Sequence, residues 1–170
     1  MEGKVLQSRV VNEKDISVEQ LKKITAGLAG DYLQKPPAYS AKKISGKPAY
    51  YYARMEKGKG DEKLQDLKPS VVKIHSIKIL SIEIPDVKIK IRCSSGTYIR
   101  SVVHDIGERM GCGATLTGLI RDAIGEFKLK DCLTLDEIIG IASDGETVKY
   151  RQGIIPLEKI NLQHENYNLK

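Results

Sequence analysis

The sequence contains no tryptophan, a single phenylalanine (Phe127) and three cysteines, and these scarcities exclude several classes of protein. Cys93, Cys112 and Cys132 are odd in number and form no Cys-x-x-Cys pair, so neither a disulfide framework nor a zinc ribbon fits. No apolar run approaches the roughly 20 residues of a membrane-spanning helix, and the sequence does not open on a charged and then apolar leader. We therefore expect free thiols in a cytoplasmic protein with no membrane partner.

The overall composition is that of an ordinary soluble globular protein. Its 170 residues are 41% hydrophobic and 29% charged, which excludes disorder throughout the chain. A chain of this length can bury a core without disulfide bonds. The length predicts one domain by default and leaves room for a small second lobe.

Positive charge is concentrated in residues 35–68, which we call the basic segment. The whole chain has a net charge of +6, and the basic segment alone holds nine basic and four acidic residues. It also contains four of the eight tyrosines. Basic side chains interleaved with aromatic ones suit RNA or single-stranded DNA, which offers phosphates to neutralise and bases to stack on. A solvated, lysine-rich loop explains the same composition equally well.

Periodicity and turn signals predict helices and strands in irregular alternation. A capping box at residues 17–20 opens one helix, the apolar stripe from Ile99 to Met110 marks another, and Thr134 with Glu137 caps a third. Further predictions are a strand over residues 3–11, a short helix over residues 48–55, a flexible loop over residues 57–63, two short strands or bulges over residues 70–84 and a half-buried strand over residues 86–93. This order favours an α+β fold with a mixed, mainly antiparallel sheet and flanking helices.

Residues 93–100, with the sequence CSSGTYIR, join the last predicted strand to a helix through a turn of small residues. An arginine at a helix start faces the unfavourable end of the helix dipole, so we expect a carboxylate or phosphate partner for Arg100. The alternative is an ordinary surface arginine. His104 is expected to be solvated, and neither Ser94 nor Ser95 has a histidine arranged for nucleophilic attack. The sequence shows no metal-ligand spacing, and we assign no metal site.

Two long blocks, PPAYSAKKISGKPAYYYAR and CSSGTYIRSVVHDIGERMGCGATLTGLIRDAIGEF, resemble the TruB family of tRNA pseudouridine synthases. Both blocks occur in family order and spacing, and the resemblance covers about residues 2–157. It implies part of a pseudouridine-synthase catalytic domain over residues 1–160, followed by a polar tail at residues 161–170. Within that domain, the basic segment resembles the family's thumb, an insertion that binds RNA.

The resemblance implies isomerisation of the T-loop uridine of tRNA, tRNA position 55, to pseudouridine without a cofactor. The base must be flipped out, because its glycosidic bond breaks and re-forms at C5. Tyr98 matches the tyrosine that contacts the flipped base, Arg100 the arginine that pairs with the catalytic aspartate, and Leu119 the leucine of the uridine pocket. The other residues that the resemblance assigns to RNA binding are Tyr39, Ser40, Lys42, Lys43, Lys47, Tyr51, Arg54, Ser95 and Arg121.

The sequence departs from the family pattern at the nucleophile. The family's catalytic aspartate stands in a Gly-Thr-Leu-Asp-Pro context upstream of the matched blocks, and no such context is found here. The tyrosine of the Tyr-x-Ala type and the downstream RNA-binding (PUA) module are not found either. Asp105 corresponds to a family position that is not the nucleophile. Ile120-Arg121-Asp122 replaces consecutive arginines, which weakens an expected phosphate contact.

Three interpretations fit these residues. The chain is a truncated or split synthase, inactive alone, with a second chain supplying the missing segment or with a homodimer completing the sheet. Alternatively, it is a tRNA-binding protein derived from the synthase that has lost its chemistry. The third interpretation is a basic α+β domain with non-specific RNA affinity.

Overall fold

The structure is a computed structural model that describes residues 10–12, 16–55 and 58–143. Most of the strand predicted over residues 3–11 and the whole polar tail at residues 161–170 lie outside these ranges. The chain divides into two compact units, residues 1–118 and 119–170. No helix in the described ranges is both long and apolar enough to cross a membrane.

The first unit contains four α-helices and five strands within its described residues. In chain order they are α1 (Val18–Ala26), β1 (Gly30–Gln34), β2 (Lys43–Ile44), β3 (Lys47–Pro48), α2 (Ala49–Ala53), α3 (Asp61–Gln65), β4 (Ser70–Glu83), β5 (Asp86–Cys93) and α4 (Ile99–Met110). The described part of the second unit contains β6 (Ala123–Ile124), β7 (Phe127–Lys128), a 3-10 turn (Leu129–Asp131) and α5 (Leu135–Ser143).

The central sheet has the strand order β1-β4-β5, and both pairings are antiparallel. Gln34 at the end of β1 lies opposite Ser70 at the start of β4, and Cys93 at the end of β5 lies opposite Ile74. The ends of β1 and β5 and the start of β4 therefore share one edge of the sheet, which we call the Gln34 edge. The α+β class is confirmed, and every strand pair in the described residues is antiparallel.

Residues 70–83 form one strand with two irregularities, so bulges explain the shifting alternation and two separate strands do not. The register shifts between Ile74 and Ser76 and again between Ile79 and Ser81. Each shift inserts an extra residue on one strand and brings the next apolar side chain back to the same face. The long hairpin with β5 consequently keeps its isoleucines on one side.

Helices α1 and α4 cover one face of the sheet. Val102 and Ile106, from the predicted stripe of α4, are buried against the sheet, which confirms that stripe. The remaining buried members of this core are Leu21, Leu28, Tyr32, Val72 and Ile74. The opposite face stays exposed, as the 65% exposure of both Leu33 and Val71 shows.

The helix ends follow their sequence signals with one difference. Ser17 Oγ accepts a hydrogen bond from the Gln20 N–H at 3.2 Å, and Thr134 with Glu137 forms a reciprocal capping box. The Gln20 side-chain amide, which the capping box assigned to the helix start, instead donates from Nε2 to the Arg109 carbonyl at 3.3 Å. It therefore links α1 to the end of α4.

The structure differs from the sequence-based expectations at two places, α3 and β1. The loop predicted over residues 57–63 contains the start of α3. This helix is largely exposed, and its Leu64 packs against the small core of the basic segment described below. Strand β1 was not predicted, because only Tyr32 and Gln34 point inward, and a glutamine breaks the apolar alternation that signals a strand. The helix predicted over residues 48–55 is confirmed as the shorter α2.

Tyr32 fastens β1 to α4 through a hydrogen bond from its hydroxyl to the carboxylate of Asp105. Burial, followed by the hydrogen bond and charge of Asp105, raises the pKa of the Tyr32 hydroxyl above its usual value. This contact gives Asp105 a structural part in the fold.

We predict that Tyr32→Phe lowers the free energy of unfolding by about 1–3 kcal/mol, because the Asp105 carboxylate loses its donor. Since the pKa of Tyr32 is higher in the folded state, its contribution is complete below the unfolded pKa of about 10 and is lost at higher pH. Urea unfolding between pH 7 and 11 measures both effects. Tyr50→Phe, at an exposed tyrosine, is the matched control. A Tyr32→Phe protein as stable as the parent, with the same alkaline profile, contradicts the prediction.

Candidate active site and nucleic-acid interface

Three segments of the chain meet at the Gln34 edge of the sheet. The basic segment leaves β1 after Gln34 and returns to the sheet at the start of β4. The turn at residues 94–96 leaves β5 and leads into α4. The antiparallel pairing thus brings the two sequence blocks with the family resemblance to the same place, although 40 to 60 residues separate them in the chain.

Gln34 joins these segments with both ends of its side-chain amide. The residue is completely buried, at 0% exposure. Its Nε2 donates to the Gly96 carbonyl at 3.0 Å, and its Oε1 accepts from the Tyr98 N–H at 3.0 Å. A glutamine suits this position because one amide offers a donor and an acceptor. Gln34 therefore fixes the turn and the start of α4 relative to the end of β1.

The turn itself is held by Ser94, in a structural part that the sequence did not reveal. Its N–H donates to the Lys73 carbonyl at 2.8 Å, and its Oγ accepts from the Lys73 N–H at 3.0 Å. Thr97 Oγ1 donates to the Ser94 carbonyl at 2.8 Å. Gly96 has a φ of +76°, a conformation that glycine adopts at little cost. Ser95 is exposed at the tip of the turn.

Tyr98 occupies the N-cap position of α4 and is half-buried. Its backbone groups are fully used, because its N–H donates to Gln34 and its carbonyl accepts from Ser101 N–H at 3.0 Å. The phenol is therefore carried by a backbone that hydrogen bonds hold on both sides. Sequence reasoning found Tyr98 but missed Gln34, whose burial and contacts only the three-dimensional structure reveals.

Two side chains in the first turn of α4 contact the basic segment. The exposed guanidinium of Arg100 donates from Nη2 to the Tyr39 carbonyl at 2.7 Å. Ser101 Oγ donates to the Lys35 carbonyl at 2.9 Å. We expected a carboxylate or phosphate for Arg100, and the contact that the structure shows is with a carbonyl oxygen. Four further guanidinium N–H donors leave room for an acid, so that partner stays a prediction.

The basic segment is folded around a small core of its own. Ile44, Ala49 and Leu67 are buried together, and Tyr52 and Leu64 pack against them. The β2–β3 hairpin turns at Ser45 and Gly46, whose φ values of 48° and 83° are typical of a two-residue hairpin loop. The described part of the segment is therefore folded around this core, and its lysines lie at the surface. Its contact with RNA stays a prediction.

The exposed surface of the basic segment pairs cations with tyrosine rings. Lys47 Nζ lies 4.3 Å from the centroid of the Tyr51 ring and donates to its hydroxyl at 3.2 Å. The Arg54 guanidinium lies 5.3 Å from the centroid of the Tyr50 ring. Tyr39, 54% exposed, donates its hydroxyl to the Ala53 carbonyl at 3.1 Å. Tyr50 and Tyr51 are thus exposed tyrosines, each with a cation over its ring.

The remaining predicted residues of the basic segment differ in accessibility. Lys42 and Lys43 are exposed beside an open pocket of about 350 Å³, which Ile44, Ser45, Asp66, Leu67 and Lys68 also line. Ser40 is buried, and its Oγ has no hydrogen-bond partner. Its side chain is thus not presented at the surface, although its carbonyl accepts from the Tyr50 N–H at 3.1 Å.

Leu119 and Arg121 belong to the second compact unit and are both exposed within it. Leu119 is 62% exposed and precedes the β6–β7 hairpin. Their assignment to a uridine pocket and to a phosphate contact stays a prediction.

Comparison with known protein families identifies the chain. Residues 1–99 match the family model described as the TruB family pseudouridylate synthase N-terminal domain. Residues 100–160 match that of the tRNA pseudouridylate synthase B C-terminal domain. The chain belongs to the TruB family of pseudouridine synthases.

Individual relatives give the same family. The chain is 41% identical over 119 residues to tRNA pseudouridine synthase B of Opitutus terrae, covering 70% of this chain and 47% of the relative. A crystal structure of a Cbf5-Nop10-Gar1 complex matches with a TM-score of 0.63 and 28% identity, over 85% of this chain and 38% of that one. An H/ACA RNP bound to a substrate RNA containing 2'-deoxyuridine matches with a TM-score of 0.59 and 25% identity, over 85% and 37%. The chain spans about half the length of the curated relatives it matches.

We predict that Gln34→Leu destabilises the protein by about 1–3 kcal/mol, because the Gly96 carbonyl and the Tyr98 N–H both lose a part-buried hydrogen bond. The matched control is Gln65→Leu, the same change at an exposed position of α3, for which a change within about 0.5 kcal/mol is expected. Chemical denaturation compares the two variants. Equal effects at the two positions would show that the Gln34 bridge adds no stability.

Proposed function

We propose that this chain supplies the RNA-binding surface and part of the active site for pseudouridine formation at the T-loop uridine of tRNA. The observation that carries the proposal is the first turn of α4. There the backbone of Tyr98, which matches the family's base-contacting tyrosine, is held by Gln34 at the end of β1. Arg100, which matches the aspartate-pairing arginine, contacts the folded basic segment at the Tyr39 carbonyl. The Arg100–Tyr39 hydrogen bond would thus join the RNA-binding basic segment to the residues of the active site.

The basic segment and the start of α4 would have different roles in this proposal. The Lys47–Tyr51 and Arg54–Tyr50 pairs of the basic segment would neutralise phosphates and stack on unpaired bases of the loop. The flipped uridine would lie against Tyr98, whose backbone Gln34 holds in place. The family resemblance implies that this isomerisation proceeds without a cofactor.

The reaction further needs a nucleophilic carboxylate, which Arg100 would orient and keep ionised. No aspartate in this sequence matches the family nucleophile. We therefore propose that the carboxylate comes from a segment outside the printed sequence, either covalently continuous with it or on a second chain. Arg100 can bind the Tyr39 carbonyl and a carboxylate at the same time, because its guanidinium has five N–H donors and the Tyr39 contact uses one of them.

The experiment is a pseudouridine assay on a tRNA T-stem-loop, with the chain alone and with a polypeptide that carries the family's Gly-Thr-Leu-Asp-Pro block. We expect turnover only in the mixture, and none when that aspartate is replaced by asparagine. Arg100→Ala should abolish turnover in the mixture while leaving RNA affinity within a few-fold. A change of sedimentation on mixing shows that the two pieces associate, and sedimentation of the chain alone reports a homodimer.

Tight and T-loop-selective binding without turnover in any mixture would overturn the catalytic part of the proposal. It would favour the second function, a tRNA-binding protein without chemistry, which the exposed cation–tyrosine pairs fit equally well.

We predict that replacing Lys42, Lys43 and Lys47 together by alanine weakens RNA binding and lowers the salt dependence of the binding constant by about two to three units on a log–log plot. The three side chains are exposed, so the fold should be retained. Titration of a labelled T-stem-loop at several salt concentrations measures the slope. Lys22→Ala with Lys23→Ala, on the exposed side of α1, is the control for lost charge. An unchanged slope in the triple variant would refute the RNA-contacting part of the basic segment.

A further inference from the structure

The outward face of the β4–β5 hairpin carries a second concentration of positive charge, separate from the basic segment. Lys88, Lys90 and Arg92 are alternate residues of β5, and Lys78 lies on β4. All four side chains are exposed. We call them the basic strip.

The register of the hairpin places these charges side by side. Lys78 is the direct Cα partner of Lys90, while Ser76 faces Arg92 and Ser81 faces Lys88. Directly opposed side chains in an antiparallel pair have Cβ atoms about 4.5–5.5 Å apart, and alternate residues along a strand are about 6.6 Å apart. The only acidic residues of the two strands, Glu83 and Asp86, face each other at the far end of the hairpin.

The strip lies on the face of the sheet that the helices leave uncovered. The alternating partners Ile77 and Ile91, and Ile79 and Ile89, pack toward the core beneath α1 and α4. The charged residues between them therefore point away from the helices. Lys78 and Lys90 are thus like charges on directly opposite residues, a pairing that adds repulsion to the hairpin.

We propose that the basic strip is a second RNA-binding surface, one that contacts the sugar–phosphate backbone. The inference rests on the proposed function for the presence of RNA and adds a surface to it. Two features favour RNA over an acidic protein. The strip's cations are flanked by the hydroxyls of Ser76 and Ser81, and all of these groups are donors for phosphate oxygens. Leu80, 57% exposed, is a single apolar side chain within the β4–β5 ladder, whereas a protein interface has an aromatic or apolar centre. In addition, β5 runs directly from the strip into the turn at residues 94–96, so a backbone bound there continues to the site of Tyr98.

The experiment compares Lys88→Gln with Arg92→Gln in one variant against Lys22→Gln with Lys23→Gln in another. Both double variants lose two exposed positive charges, but the second loses them from α1, on the helix side of the sheet. The probes are a labelled T-stem-loop and an RNA duplex of unrelated sequence, each titrated from 50 to 300 mM salt. We expect the strip variant to bind both RNAs roughly tenfold more weakly at about 0.15 M salt, with a slope smaller by about one unit per lost contact. The α1 variant should retain the parent slope.

The outcomes separate this inference from the proposed function. A strip variant with the parent slope on both RNAs, or with the same loss as the α1 variant, overturns the strip. If the unchanged protein binds the T-stem-loop no better than the unrelated duplex, the proposed T-loop selectivity is wrong. The role of the strip is still tested in that case, by comparing the salt dependence of the strip variant with that of the α1 variant. Loss of binding to polyglutamate in the strip variant, with RNA binding intact, would assign the strip to an acidic protein and also overturn the proposal.

Discussion

The buried amide of Gln34 is the contact on which the geometry of the candidate site depends. Its side chain is completely buried and supplies the acceptor for the Tyr98 N–H and a donor for the Gly96 carbonyl. A buried amide without these two partners would carry the cost of its own desolvation, which exceeds the net return of an ordinary hydrogen bond. The end of β1 therefore determines where α4 begins, and the start of α4 determines where Tyr98 and Arg100 stand.

The basic segment is coupled to this arrangement by few contacts, since it has its own core. Ile44, Ala49 and Leu67 do not belong to the core beneath α1 and α4. What joins the segment to α4 is the pair of side chains that donate to the Tyr39 and Lys35 carbonyls. Backbone carbonyls are acceptors that any sequence provides, so the coupling constrains Arg100 and Ser101 more than the segment. An RNA-induced shift of the segment would be transmitted first to Arg100, the residue that matches the aspartate-pairing arginine.

The sequence predicted best those features that depend on local pattern. Residues close together in the sequence specify three such features, and each is confirmed: the apolar stripe of α4, the alternation of β5 and the capping box at Thr134. Strand β1 and Gln34 were missed for one reason. A buried glutamine looks like a surface residue until its two partners, more than 60 residues away, are brought to it. Arg100 was found through its motif, but its contact with Tyr39 depends on the pairing of β1 with β4, which no local pattern specifies.

Counting charge along the chain also hides the basic strip. The basic segment has a net charge of +5 out of a total of +6, so the rest of the chain looks nearly neutral. Within β4 and β5, however, the two acidic residues are confined to the hairpin end, and antiparallel register gathers lysines that stand 12 residues apart in the sequence. The bulges of β4 matter here. Without the bulge between Ile74 and Ser76, the period of two would place Lys78 on the same face as Ile74, toward the core. The same bulges that keep the isoleucines of the hairpin toward the core therefore keep the cations of the basic strip together on the outward face.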